Sequence, residues 1–369
     1  MSSRFRFTLA GPDDDADLRA LMAQGRMEGD IAVSFRREPS YFAGCVMQGD
    51  GTQVIKCMEL ETGRLIGHGC RSTLDAFVDG QPLRIGYLSD LRSLAQYRGG
   101  TLLARGFRCL RELHDAAPVP FYYTVIYEGN DQAVGNLVGA RAGLPAYLDC
   151  GRILTPAIQL DFPRRELRLP GMRVVGARSS QLPAVVGFLN EWQSQRQLAP
   201  VRSVAQFAPG ARYSGLRAED FLLAVDDADR IAGTLAIWDQ GHIRQTHVER
   251  YSRRLALARP LFNLAARVLP LKPLPPVGAR VPFVYLACAC TREHDLGILR
   301  LLLRAAYRKL RTGRAHYAIA GLHETDPFAA ALDDYRTIPA AGRLYLVSYP
   351  EGTPAPPRGG IPYVEAGCI

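Results

Sequence analysis

Lysine is almost missing from this chain of 369 residues: Lys56, Lys272 and Lys309 are all it has, and arginine carries nearly the whole of a net charge of +9. Arginine is a flat donor fork suited to phosphate, but a GC-rich genome gives the same bias without any function, so the charge permits an anionic ligand and does not establish one. No CxxC pair occurs among the eight cysteines, so no metal site is expected; buried free thiols are the reading for a reducing compartment. Long apolar runs are also absent. The best one, Val281 to Cys290, is about half of what a spanning helix needs. Met1 to Arg6 holds no apolar secretory core. These absences set the expectation of a cytoplasmic protein with no membrane partner. Neither GxxxxGK[ST] nor GxGxxG is present, which removes the P-loop and Rossmann readings.

What is there is ordinary globular composition, 47% hydrophobic and 22% charged, at a length that suggests two domains. A charged, Pro/Gly-marked break falls between Asp161 and Gly171. Before it, apolar spacing predicts a helix after Pro12 carrying Leu18, Leu21 and Met22. Paired strands follow over Thr52–Leu60 and Leu65–Phe77, then a hairpin turn at Asp79-Gly80 and a strand over Leu83–Ser93. A helix from Thr101 to His114, a strand at Phe121–Tyr127, a helix at Asp131–Ala142 and a strand at Ile153–Leu160 close the half. After the break, Met172–Gly176, Leu182–Gln195, Asp220–Val225, Ile231–Asp239, Val281–Cys290, Gly297–Leu310, His316–Leu322, Pro327–Tyr335 and Arg343–Tyr349 repeat that order. Recurrence of one strand–helix order is an internal repeat. The expected division is 1–165, 166–350 and a Pro/Gly-rich tail, 351–369, read as a surface strap or mobile end.

The informative stretch is Gln96-Tyr97-Arg98-Gly99-Gly100-Thr101-Leu102, which leaves a strand and opens an amphipathic helix. A glycine turn lets backbone approach a ligand, and the free N–H groups of the helix start suit a pyrophosphate. With Glu128-Gly129-Asn130 after the next strand and Arg141-Ala142-Gly143-Leu144 after the next helix, the first 160 residues resemble the GNAT acyltransferases. Thr101 departs from the family's Q/R-x-x-G-x-G/A pattern, but keeps its N–H. The second half resembles a degenerate copy. The resemblance implies an α/β fold of two tandem GNAT-like domains, each a mixed central sheet flanked by helices. It also implies an N-acyltransferase carrying acetyl, or another acyl group, from acetyl-CoA or another acyl-CoA to an amine of a small molecule or peptide. Pyrophosphate would sit on Gln96 to Leu102, the pantetheine arm along Leu91 and Ser93, and Asn130 beside the arm. Direct attack needs a base, for which Asp90 and Glu128 are the candidates. The family's usual tyrosine donor falls near Gly139, leaving Tyr147 as a substitute phenol.

The matching turn of the second half, Thr291 to Ile298, carries Glu293 and Asp295 where phosphate would sit. Carboxylates there repel it, so this half is expected to bind no CoA. The segment from Met27 to Pro39, with Phe35 in it and Tyr41 and Phe42 just after it, borders the acceptor pocket in the resembled fold; a solvated loop is the competing reading. Other classes stay in view: a nucleic-acid binder, disfavoured because no zinc-finger spacing or RNP box occurs, and a silent acyltransferase-like scaffold. A longer or aminoacyl group is a further variant. His68 and Cys70 share one face of a strand, but no third group orients them for nucleophilic catalysis.

Overall fold

The computed structural model describes residues 4–98, 102–138, 144–349 and 359–369. The first half runs β1 (Phe5–Leu9), α1 (Asp15–Gln24), β2 (Arg26–Met27), β3 (Ile31–Arg36), α2 (Tyr41–Cys45), β4 (Gly51–Glu59), β5 (Arg64–Val78), β6 (Gln81–Ser93), α3 (Leu102–Ala116), β7 (Tyr122–Tyr127), α4 (Asp131–Leu137), β8 (Ala146–Leu154) and β9 (Ala157–Gln159). The second runs β10 (Met172–Gly176), α5 (Leu182–Gln193), β11 (Phe221–Asp226), β12 (Ile231–Trp238), β13 (Gln245–Tyr251), α6 (Arg253–Ala265), β14 (Phe283–Thr291), α7 (Leu296–Arg311), β15 (Tyr317–Ile319), β16 (Leu322–His323), β17 (Thr337–Ile338) and β18 (Ala341–Ser348).

Local chemistry accounts for much of this order. Asp79 and Gly80 both have positive φ (49° and 80°), the two-residue geometry whose twist matches a hairpin, and β5 and β6 pair from Val78↔Gln81 onward. The amphipathic α3 buries Phe107 and Leu110 against Ile126, Tyr345 and Val347. Fully burying such side chains stabilises by about 1.5–3 kcal/mol each. Leu18, Leu21 and Met22 of α1 are buried as the helical spacing predicts.

The strands form two mixed sheets, ordered β1-β4-β5-β6-β7-β18-β8-β16 and β10-β11-β12-β14-β15-β9-β17, with a third, small sheet, β13-β3-β2. Two expectations are corrected here. The strand expected over Ile153–Leu160 divides into the end of β8 and β9, and β9 pairs with β15 and β17 in the second sheet. The strand expected to end the second half, β18, lies instead between β7 and β8 of the first sheet. The halves therefore exchange strands across residue 165, a pairing between distant segments that local periodicity cannot register. The end of the expected tail is the third correction; residues 351–358 of it lie outside the described residues. Tyr363 through Cys368 are buried, and Gly367 has no room for a Cβ, which would meet the Trp238 ring at 2.8 Å. The end of the chain is packed into the fold.

Candidate functional site

Each of the two large sheets holds one parallel pair of central strands that separates at a bulge. Strands β6 and β7 pair only at Gly86↔Tyr122 and Tyr87↔Tyr123. Gly86 permits this approach, since a Cβ there would fall 2.0 Å from the Tyr122 ring. Beyond Tyr87, β6 stays with β5, but its register slips between Ser89↔Cys70 and Arg92↔His68. Asp90, in the slip, has a φ of 53°, and Leu91 is 55% exposed at the opening. Ser93 resumes the ladder opposite Gly67.

A 3-10 turn, Ala95–Tyr97, then leads toward α3. Tyr97 is fixed by its hydroxyl, which donates to Glu59 (2.8 Å), and by an edge-on contact with Phe5; Gln96 is exposed. Arg98 reaches across the mouth to Gln132 of α4 at 3.2 Å. Gly99, Gly100 and Thr101 lie outside the described residues, as do Gly139 and 141–143; Leu102 begins α3. Asn130 caps α4, its side chain accepting from the Ala133 N–H at 3.2 Å.

Asp90 is the hub of a buried polar cluster that the sequence did not reveal. Its carboxylate takes an ion pair from Arg37 at 2.5 Å and hydrogen bonds from Gln48 (3.1 Å) and Tyr41 (3.3 Å). Arg37 is 2% exposed, stacks over the Tyr41 ring and donates to the Cys45 sulfur at 2.9 Å. Tyr41 also touches His68 Nδ1 (3.1 Å) and Cys70 Sγ (3.2 Å). Burial alone would raise the Asp90 carboxyl; Arg37, helped by Arg92 and Arg244, overcomes this and holds it well below the usual carboxylate range. Burial lowers the His68 imidazole to about 3, so it is neutral. Only Asp90 could have been suspected from its strand position. Arg37, Gln48 and Tyr41 come from the segment before β4 and meet it through tertiary packing.

This geometry corrects the expected catalytic roles. An Asp90 held ionised by a buried arginine is too weak a base to strip an ammonium. Glu128 leans away from the opening: it is chelated by Arg152 of β8 at 2.6 and 3.0 Å, beyond β18. Tyr147 lies on β8 opposite Val347 of β18, packed against Tyr345, so β18 and β7 stand between it and β6. His68 and Cys70 do have third groups, Tyr41 and Asp90. The Cys70 thiol is nevertheless pushed well up by its hydrogen bond to Cys45 and by burial, and it is sealed from solvent, so it is no nucleophile.

The segment before α2 is no solvated loop. Strand β3 pairs with β13 of the second half, and the Gln245 side chain brackets the Glu38 backbone, accepting from its N–H (3.0 Å) and donating to its carbonyl (2.8 Å). Phe35 stacks on Tyr127 at 6.2 Å. Phe35, Tyr127 and the buried Arg37–Asp90 pair thus form one wall beside the opening.

The second half repeats the bulge and closes it. Strand β14 pairs with β15 only from Phe283 to Tyr285, slips between Ala287 and Cys290, and has Cys288 at a φ of 53°. There the Cys288 N–H donates to Glu365 at 3.0 Å and the Ala289 carbonyl accepts from Gln193 at 3.1 Å. Glu365 comes from the buried tail and pairs with Arg202 at 3.2 Å. At the helix start, the Asp295 side chain accepts from the Ile298 N–H (2.9 Å). His294 packs edge-on to Phe328.

No family model matches this chain, and no curated protein matches it in sequence. Solved structures do match in fold. Saccharomyces cerevisiae N-myristoyltransferase with bound myristoyl-CoA superposes with a TM-score of 0.61 at 11% identity, over 98% of this chain and 81% of that one. A probable N-acyltransferase of unknown function from Enterococcus faecalis superposes at 0.50 and 9% identity, over 93% and 72%. The likeness is one of fold: the chain shares the two-domain mixed α/β architecture of these structures.

Proposed function

We propose that the chain is an acyl-CoA-dependent N-acyltransferase that binds acyl-CoA in the opening between β6 and β7 and passes the acyl group to an amine by direct attack. The observation that carries this reading is the contrast between two equivalent bulges. One lies beside an exposed Leu91, and the other is plugged by Glu365 and Gln193, with Asp295 capping the helix start after it. The main-chain N–H groups at Leu91 would polarise the thioester carbonyl as an oxyanion site. Residues 96 to 102 would hold the pyrophosphate, with Arg98 and Asn130 at the mouth. Asp90, an anion fixed by Arg37, is a positioning residue that holds the bulge in shape. The acceptor enters as free amine or loses its proton to water.

For acyl length there are two arms. Acetyl follows from the sequence resemblance; a longer chain is favoured by the fold shared with a myristoyl-CoA-binding enzyme. Calorimetry with acetyl-CoA and myristoyl-CoA, followed by a thiol-release assay over amines and peptides, decides between them. Gly100→Asp is expected to abolish binding by placing a carboxylate in the phosphate cradle, while Gly297→Asp leaves affinity unchanged. Equal losses at both turns, or no acyl-CoA binding at all, would overturn the reading.

A further inference from the structure

Helix α6 has its apolar side on the outside. Its N-terminus is capped by Ser252, whose side chain accepts from the Leu255 N–H, and none of its residues is fully buried. Leu257, Leu261 and Leu264, spaced as one helical face, are 83%, 72% and 56% exposed, and Val268 in the following turn is 86% exposed. The helix is not loosely held. On its inner side Asn263 accepts from the Leu274 N–H (2.8 Å) and donates to the Leu274 carbonyl (3.1 Å), Arg259 donates to the same carbonyl (3.2 Å), and Tyr251 donates to the Pro275 carbonyl (2.5 Å). The returning chain is stapled to one side, and the leucines are presented on the other. A groove of about 520 Å³, lined in part by Leu264, Arg267 and Pro273, runs beside the face.

Charge defines what this face can meet. From Arg250 to Arg292 the chain contains no aspartate or glutamate, while Arg253, Arg254, Arg259, Arg267, Lys272 and Arg280 fall within that stretch. At 100° per residue, Arg253 and Arg254 flank the leucine stripe at its start, Arg267 follows in the turn after the helix, and all three are exposed. An apolar stripe rimmed by arginine is the pattern of a helix lying in a lipid interface. A second copy of the same face is disfavoured, because two acid-free basic rims would oppose each other. Nucleic acid would leave the leucines facing water.

We propose that α6 is a membrane-surface docking element, which lays Leu257, Leu261, Leu264 and Val268 into the headgroup region of an anionic bilayer while its arginines meet lipid phosphates. This replaces the expectation of no membrane partner, which rested on the lack of a spanning helix. No described helix is long and apolar enough to cross a membrane; docking on the surface needs only one exposed face. The proposal is independent of the acyl-transfer reading.

The test is vesicle co-sedimentation of the full chain with phosphatidylcholine alone and with phosphatidylcholine carrying about 30% phosphatidylglycerol, at low and high salt. The wild type should bind the anionic vesicles, and less at high salt. Leu257→Glu with Leu261→Glu should weaken that binding at least ~10-fold. Arg253→Glu with Arg254→Glu should erase the preference for anionic lipid. All four sites are exposed, so the thermal midpoint should hold. Undiminished binding by both double variants, or equal binding to neutral vesicles, would overturn the proposal. So would a wild-type dimer in light scattering that the leucine variant turns into a monomer with no vesicle binding by either.

Discussion

The neutral His68 makes the stability of this fold fall in mild acid, and the size of the effect can be worked out. The imidazole is 4% exposed, its Nδ1 is engaged by Tyr41, and its Nε2 has no partner among the described residues. Burial moves it from an ordinary value of 6.5 to about 3, with Arg92 and Arg37 lowering it further against the pull of Asp90. Because the folded value lies below the unfolded one, the unfolded chain takes up more protons as pH falls below 6.5. Stability from this group is therefore whole above pH 6.5 and is lost progressively until the folded imidazole itself titrates near 3. Between about pH 7.5 and 5 the loss comes to about 2 kcal/mol. At pH 5 the folded imidazole is still almost wholly neutral, so that figure depends on the unfolded value and hardly at all on the folded one.

The assay is denaturant unfolding at intervals of pH, on the wild type and on His68→Gln, which keeps a polar partner for Tyr41. The substitution adds an offset at every pH; what matters is the slope. Burial also lowers His294 and His316, but their effect is common to both proteins and cancels. The variant should lose about 2 kcal/mol less than the wild type across the interval. Parallel curves would mean that His68 is charged or hydrated in the native state, and the account of the cluster would fail.

Breaking the ion pair beside it should be costly and coupled. Arg37→Met and Asp90→Asn are each expected to lose about 3–5 kcal/mol, because the remaining partner is left buried and unpaired. The double variant should cost clearly less than the two together, and additive losses in a double-mutant cycle would refute the pairing. In Arg37→Met the lone Asp90 carboxyl should rise above its unfolded value. Its stability would then fall as pH climbs through the range just above 4, opposite in sign to the wild type, where Asp90 stabilises at all pH above its ordinary 3.8. Strand exchange gives a further outcome. A fragment of residues 1–165 lacks β18, which separates β7 from β8, so it should show neither sharp cooperative unfolding nor acyl-CoA binding; a well-folded, binding fragment would contradict the exchange.

Elements with strong local signals were legible in the sequence. The hairpin at Asp79-Gly80, the α3 face carrying Phe107 and Leu110, and the α7 face were all set by period and turn chemistry over a few residues. What was hidden depends on partners distant in the chain. Strands as short as β2, β16 and β17, at two residues each, carry no readable period. The placement of β18 is a choice between two sheets that its own alternation does not express. The site divides the same way. Leu91 lies exposed beyond the slip of β6, Arg98 meets Gln132 and Asn130 caps α4, whereas the Asp90 cluster draws Arg37, Tyr41 and Gln48 from a segment that read equally well as a solvated loop. A buried arginine looks like a surface arginine until its carboxylate is found.

The closed second half raises the question of why it should be kept. Its own bulge is plugged, and the plug is a buried ion pair, Arg202–Glu365, whose removal from either side would leave an uncompensated charge. The half nevertheless supplies what the first cannot make alone. Strand β18 completes the first sheet, and β13 clamps β3 so that Arg37 enters the core two residues after Phe35 stacks on Tyr127. Arg244 adds positive field at Asp90 and donates to the Gly367 carbonyl at 3.0 Å, tying the tail to the same corner. A lone first half would lack the strand that holds β3 beside Tyr127. With its own bulge filled by Glu365 and Gln193, the second half stands as a buttress for the first.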